Sequence, residues 1–145
     1  MTFPARLLDV TRLIRRAGRI PTGIDRVERA YLNAILADKT PAFGLARTRL
    51  GYLLLDEMGL GRMRDALDQA DALSMVRQVA VARTLPFGLA RMLRRNLSQG
   101  LSYLNVGHSN LTERTLSTVK QSLNGQISVF VHDLIPLTHP ELQRP

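Results

Sequence analysis

The chain of 145 residues is predicted to fold as an α/β protein with a mostly parallel, Rossmann-like sheet and helices on both faces. Three observations lead there. Apolar, β-branched segments alternate with amphipathic helical ones in the βαβ manner. The apolar segments are near-continuous, as strands covered on both faces are. Glycines and prolines gather between the segments. The length suits one domain with its own core, so residues 1–145 are expected to form a single Rossmann-like unit. A hydrophobic fraction of 45% with 22% charged residues is that of a globular protein. No apolar run approaches the ~20 residues of a membrane-spanning helix.

Ala5 to Ile14, ARLLDVTRLI, has the character of a first strand, and RRAGRIPTG follows with Gly18, Pro21 and Gly23 as loop punctuation. Ile24, Val27, Tyr31, Leu32 and Ile35 then recur on one helical face, while Arg26, Arg29 and Asn33 point elsewhere. Thr22 can cap this helix with Asp25 in capping-box position, and Asp25 with Arg29 forms an i,i+4 pair. The helix should run from about Thr22 to near Asp38, before Pro41. Ala42 to Asp56 reads as one or two strands broken around Arg49 to Gly51.

From Glu57 to Leu97 the pattern is helical. Leu60, Met63 and Leu67 make one stripe, Leu73, Val76, Ala80 and Val81 another, and PFGLARMLRRNL restarts after a first-turn proline, Pro86. Leu101 to Ser109 is a short strand and turn. Thr112 to Leu123 is a helix capped by Thr112 and stopped by Asn124-Gly125, and QISVFVHDLIPL begins the last strand, with burial expected as far as Val131.

The formal charge is +8 with a pI near 11.2, almost all of it arginine, since Lys39 and Lys120 are the only lysines. A G+C-rich genome accounts for the ratio of arginine to lysine but not for the net excess. Such a surface favours polyanions: nucleic acid, anionic lipid headgroups or phosphorylated sugars. Aromatic residues are only 5%, no nucleic-acid reader module is recognisable, and the basic residues are spread along the chain, so a small basic nucleic-acid-binding or non-catalytic interaction protein is the second reading. From Arg77 to Arg95, arginines alternate with Leu85, Phe87, Leu89, Met92 and Leu93. A basic amphipathic segment of this kind can lie on an anionic membrane; the other reading is a helix packed on the sheet with solvated arginines.

The absence of cysteine excludes disulfides and thiolate zinc sites and fits a reducing, cytoplasmic location. The start, MTFPARLLDVTRLIRRAG, has neither the long apolar core nor the cleavage site of a secretory leader; an arginine-rich transit peptide is the alternative to a first strand.

In open α/β sheets ligands gather outside the carboxyl ends of the strands. Three polar clusters fall there: Gly18 to Arg26, Asn105 to Asn110, and His132-Asp133. PTGIDR joins a glycine to a fresh helix N-terminus with Arg26 one turn in, which suits a phosphate or carboxylate, although a capped helix after a glycine turn is also an ordinary structural feature. His108, with Ser109, can bind a hydroxyl or phosphate, or cap the following helix. His132 beside Asp133 has the residue types of a general base, a sugar-hydroxyl clamp or a metal ligand, and neighbours on an extended chain face opposite ways. His108 and His139 are the only other histidines and no carboxylate-rich motif accompanies them, which argues against a metal site. G-x-G-x-x-G, G-K-[ST] and G-x-S-x-G motifs are all missing.

Taken together, LLDVTRLIRR…PTGIDRVERAYL, YLNVGHSNL and VFVHDLIPLTHPE resemble the amino-terminal, acceptor-side half of retaining glycosyltransferases of the GT-B type, family four, from Leu7 to Glu141. The resemblance implies transfer from a nucleoside-diphosphate sugar to a glycan or lipid-linked acceptor, with no tightly bound cofactor or metal. It implies that Thr22, Gly23, Ile24 and Arg26 lie against the donor diphosphate and the acceptor, that His132 contacts the donor sugar, and that Asp133 braces it.

The family's E-x7-E segment and the Arg/Lys pair of its second, nucleotide-sugar domain do not occur here. The chain is therefore expected to be a fragment, a truncated reading frame or half of a split enzyme, with an uncovered sheet edge that invites self-association. An assay of the 145-residue chain alone with nucleotide-sugar donors is expected to show no transfer above background; measured turnover would refute that expectation.

Overall fold

The computed structural model describes residues 4–132 and residue 141. Asp133, Pro136 and His139 lie outside the described residues, and the last strand, expected to run on through Phe130 and Val131, ends at Val129. The elements run β1 (Arg6–Asp9), α1 (Thr11–Arg16), α2 (Gly23–Ala37), β2 (Ala42–Arg47), β3 (Tyr52–Leu55), α3 (Glu57–Asp65), α4 (Ala72–Val79), β4 (Ala82–Thr84), a 3-10 turn (Pro86–Gly88), α5 (Leu89–Asn96), β5 (Ser102–Asn105), α6 (Glu113–Ser117), a π turn (Thr118–Ser122) and β6 (Gln126–Val129).

The fold is α/β and Rossmann-like, with a six-stranded sheet in the order β4-β3-β2-β1-β5-β6. β2, β1, β5 and β6 pair in parallel, and β3 runs antiparallel between β2 and β4. Leu7 and Leu8 on β1 point to opposite faces, as the period of two requires, and both are fully buried. On one face Leu8 packs with Leu13 of α1, Leu32 and Ile35 of α2, Leu60 and Met63 of α3 and Val76 of α4. On the other, Leu7 packs with Leu54, Leu89 and Leu93 of α5, Tyr103 and Val119.

Several expectations are corrected. The first strand stops at Asp9, because the Asp9 carboxylate accepts the Thr11 N–H at 3.1 Å and turns the chain into α1, which buries Leu13 and Ile14 as helical residues. The α2 capping box forms as expected, with the Thr22 hydroxyl accepting from the Asp25 N–H and the Asp25 carboxylate accepting from the Thr22 N–H. Asp25 does not pair with Arg29, however. It turns inward to Arg12 and Arg16, and Arg29 reaches Asp68 at 3.0 Å instead.

Val81 does not continue the helical stripe, since α4 ends at Val79 and the Val81 N–H joins the Leu54 carbonyl on the way into β4. That strand of three residues is too short to show a period. β6, expected as a buried apolar run, lies at the sheet edge among the described residues, and Val129, Phe130 and Val131 are exposed. The apolar residues of α5, Leu89, Met92 and Leu93, belong to the core. The apolar groups left outside in this region are Leu50, Val81, Leu85 and Phe87.

Gly51 closes the β2–β3 turn at φ 149°, where a Cβ would overlap the Thr84 carbonyl and lie 2.9 Å from the Leu85 Cα. Gly61, inside α3, has open space at the same position. The same substitution should therefore have opposite signs at the two sites. Gly51→Ala is expected to lower stability by roughly 1–3 kcal/mol through steric strain, and Gly61→Ala to raise it by about 0.5–1 kcal/mol. Urea unfolding midpoints check both; a Gly51→Ala midpoint equal to that of the parent would refute the close approach.

Candidate functional site

The carboxyl ends of β1, β5 and β6 lie side by side, and the polar groups at that edge form three connected layers. The first is centred on Asp9, the last residue of β1, which is only 4% exposed. Besides the Thr11 N–H, its carboxylate accepts from the Tyr103 hydroxyl at 2.8 Å and the Asn110 side-chain amide at 2.9 Å. The Tyr103 oxygen in turn accepts from the Asn105 amide at 3.0 Å, which also donates to the Ser109 carbonyl at 2.6 Å. Asn110 accepts from the Thr115 hydroxyl at 3.2 Å.

Burial pushes the Asp9 carboxyl up, and its three donors pull against that without reversing it. Burial and the neighbouring Asp9 charge push the Tyr103 phenol up as well, so it remains an O–H donor. The network holds a strained loop, in which His108 at φ 58° and Asn110 at φ 61° are left-handed. Asn110 tolerates that conformation better than most residues, and its side chain is bonded at both ends.

The second layer joins α1 to α2. Arg12 bridges two buried carboxylates, bonding Asp25 and, at 2.8 Å, Glu28. Burial opposes ionisation of Asp25, but the Thr22 amide, the Thr22 hydroxyl and the Arg12 guanidinium outweigh it and bring the carboxyl down to about 2. Burial pushes Glu28 up, with Arg12 opposing and the charges of Asp25 and Asp9 reinforcing the rise. Gly107 sits directly on Glu28: a Cβ there would be 2.6 Å from the carboxylate. The loop after β5 is thereby seated on α2.

The third layer is a reciprocal stitch between the loops that leave β5 and β6. His108 Nε2 bonds the Phe130 carbonyl, and His132 Nε2 bonds the Val106 carbonyl at 2.5 Å. The two imidazoles meet edge to face at 5.2 Å, and the Phe130 ring stands between His132 at 4.7 Å and Tyr31 of α2 at 5.8 Å. A carbonyl only accepts, so each Nε2 carries the hydrogen, and in the neutral tautomer that leaves Nδ1 as the acceptor of each ring. Such a pair can take the hydrogen of a hydroxyl ligand. No group of three or more potential metal ligands occurs among the described residues.

Of the residues singled out from sequence, His108 and His132 are brought together. Ser109 contributes its backbone carbonyl. Thr22 is the cap of α2, Gly23 begins the helix in open space, Ile24 is half-buried and Arg26 is exposed. These four do not touch the histidines; the link runs through Arg12, Glu28 and Gly107. Asp133 lies outside the described residues. Asp9, Arg12 and Glu28 were missed, and Asn110 was placed in the cluster after β5 without its role as a partner of Asp9. A lone carboxylate between Leu8 and Val10, and two carboxylates on the same helical side as Leu32 and Ile35, were the available signals. No protein-family model, curated protein or solved structure matches the chain.

The depressed Asp25 carboxyl has a defined pH signature. Its stabilisation is fully present above the ordinary value of 3.8 and is lost as pH falls through about 2. The loss amounts to about 2 kcal/mol. Asp9 and Glu28, held above their ordinary values chiefly by burial, contribute with the opposite sign. Asp25→Asn is therefore expected to be about 2 kcal/mol less stable than the parent at pH 6, with most of that difference gone by pH 2. Denaturant titrations at pH 6, 4, 3 and 2 check this, and a constant difference across the series would refute it.

Proposed function

We propose that the chain is the acceptor-side domain of a nucleotide-sugar-dependent, retaining glycosyltransferase acting on a saccharide or lipid-linked acceptor. Two lines of support stand beside the resemblance: the Rossmann-like sheet, and the gathering of polar loops at the carboxyl ends of its strands, where such sheets take ligands. The observation that carries the reading is the pair of imidazoles brought together at that edge and braced through Nε2, an arrangement that in the neutral tautomer leaves Nδ1 for a sugar hydroxyl.

In this reading His132 is the catalytic contact to the donor sugar and His108 a second hydroxyl acceptor, with Ser109 beside it. The first-turn amides of Gly23 and Ile24, next to the N-cap Thr22, and the exposed Arg26 stabilise charge developing on a nucleoside diphosphate leaving group. Asp133 follows His132 as its companion. No tightly bound cofactor is called for.

No helix among the described residues is long and apolar enough to cross a membrane. A peripheral contact with the inner face of an anionic membrane is part of the proposal. It would run through Leu50, Leu85 and Phe87, flanked by Arg83, Arg91 and Arg95, in place of the apolar face of α5. The edge of β6, unpaired among the described residues, is the proposed surface for self-association.

Saturation-transfer NMR with a panel of saccharides and nucleotide sugars tests the reading. Binding of at least one is expected, weakened about tenfold or more in His132→Gln, whose side-chain amide can still donate to the Val106 carbonyl but has no Nδ1. Binding of no sugar, or full binding by a folded His132→Gln variant, would overturn it.

A further inference from the structure

Farther along the same sheet edge, four arginines converge where no carboxylate does. A cavity of about 520 Å3 opens between α1, the carboxyl end of β2, the β2–β3 turn and α4. Arg15, Arg47, Arg49 and Arg77 reach it, one from each of these elements. Its backbone frame is tied together: the Arg47 N–H donates to the Thr11 hydroxyl at 3.0 Å, and the Thr48 N–H donates to the Gly51 carbonyl at 2.8 Å. The floor is partly apolar, with Ile14, Ala46 and Leu73.

The four guanidiniums differ from those nearby. Arg12, Arg16 and Arg29 each hold a carboxylate, whereas none of Arg15, Arg47, Arg49 and Arg77 makes an ion pair among the described residues. Arginine does not lose its proton in a protein, so this cavity carries four positive charges that repel one another until an anion enters. A phosphoryl group carries about −1.5 to −2. Four guanidiniums therefore match two phosphoryl groups better than one, and their planar forks suit phosphate oxygens.

The volume falls within the ~300–1,000 Å3 usual for small-ligand sites. Thr48 and Arg77 also line an adjoining cavity of about 400 Å3 with Arg83 and Leu85, which gives room for the uncharged remainder of a ligand.

We propose that this cavity is a binding site for a diphosphate-bearing ligand. The inference needs only the cavity and its charges and does not rest on the transferase reading. Calorimetric titration of the 145-residue chain with pyrophosphate, in buffer of physiological ionic strength, is the test. Pyrophosphate is expected to bind, to raise the melting temperature, and to bind at least tenfold more tightly than orthophosphate. The double variant Arg47→Gln/Arg77→Gln, its fold checked by circular dichroism, should lose that binding by tenfold or more. Arg94→Gln, exposed on α5 and outside the cavity, should keep it.

A second arm distinguishes the source of the diphosphate. Co-sedimentation with vesicles carrying a lipid diphosphate, lost in the double variant, assigns the site to a lipid headgroup; pyrophosphate binding without it assigns a soluble ligand. Binding to neither probe, or equal losses in Arg94→Gln and the double variant, would overturn the proposal.

Discussion

The burial of Asp9 is the constraint on which the arrangement of the sheet edge depends. An isolated buried carboxylate costs several kcal/mol, and its removal from water is tolerated only when hydrogen bonds replace the lost hydration. Three donors do so here, and each comes from a different part of the chain. The Thr11 N–H ends the strand, the Tyr103 hydroxyl ties β1 to its neighbour β5, and Asn110 fixes the loop beyond it. Satisfying one carboxylate therefore sets the end of β1, the start of α1 and the path of the loop carrying His108. The reciprocal histidine stitch follows, because the Val106 carbonyl and His108 are held where β6 can reach them.

Arg12 solves the corresponding problem one layer out. Asp25 and Glu28 lie one turn apart on the buried side of α2, and like charges so placed would disfavour the helix. One guanidinium between them converts the repulsion into two ion pairs, and Asp25 adds the capping box to its partners. The outcomes differ for the two acids. Asp25, with several donors, is held well below the usual carboxylate range, while Glu28, with Arg12 alone, is left above it. The number of donors, set against burial, decides the direction in each case.

Local features were readable in the sequence because their physics is local. The capping box at Thr22, the break between β2 and β3, the proline opening the turn before α5 and the cap at Thr112 each involve partners within a few residues. The fold class followed from the spacing of such units. The end of β1 was not readable: Leu13 and Ile14 suit a strand or a helix equally, and the Asp9 turn that decides between them is itself held by residues 94 and 101 positions away. The site divides in the same way. The two histidines advertised themselves by type and by the strand ends they follow, whereas Asp9 and Glu28 look like ordinary surface acids until their partners arrive.

The charge distribution shows how tertiary structure sharpens a property that is diffuse in the sequence. Between Lys39 and Leu55, and again between Ala72 and Thr112, the chain contains no acidic residue at all. Each stretch reads as part of a uniformly basic protein. Antiparallel pairing of β3 with β4 and the packing of α4 on the same layer bring the two together, so that Arg47 and Arg49 from the first face Arg77 from the second. At the same time the acids of α2 are turned inward onto Arg12 and Arg16, where they cannot neutralise the neighbouring surface. The positive excess is therefore concentrated by the fold: burying Asp25 and Glu28 stabilises one side of α1 and leaves Arg15, on its other side, without a counter-charge.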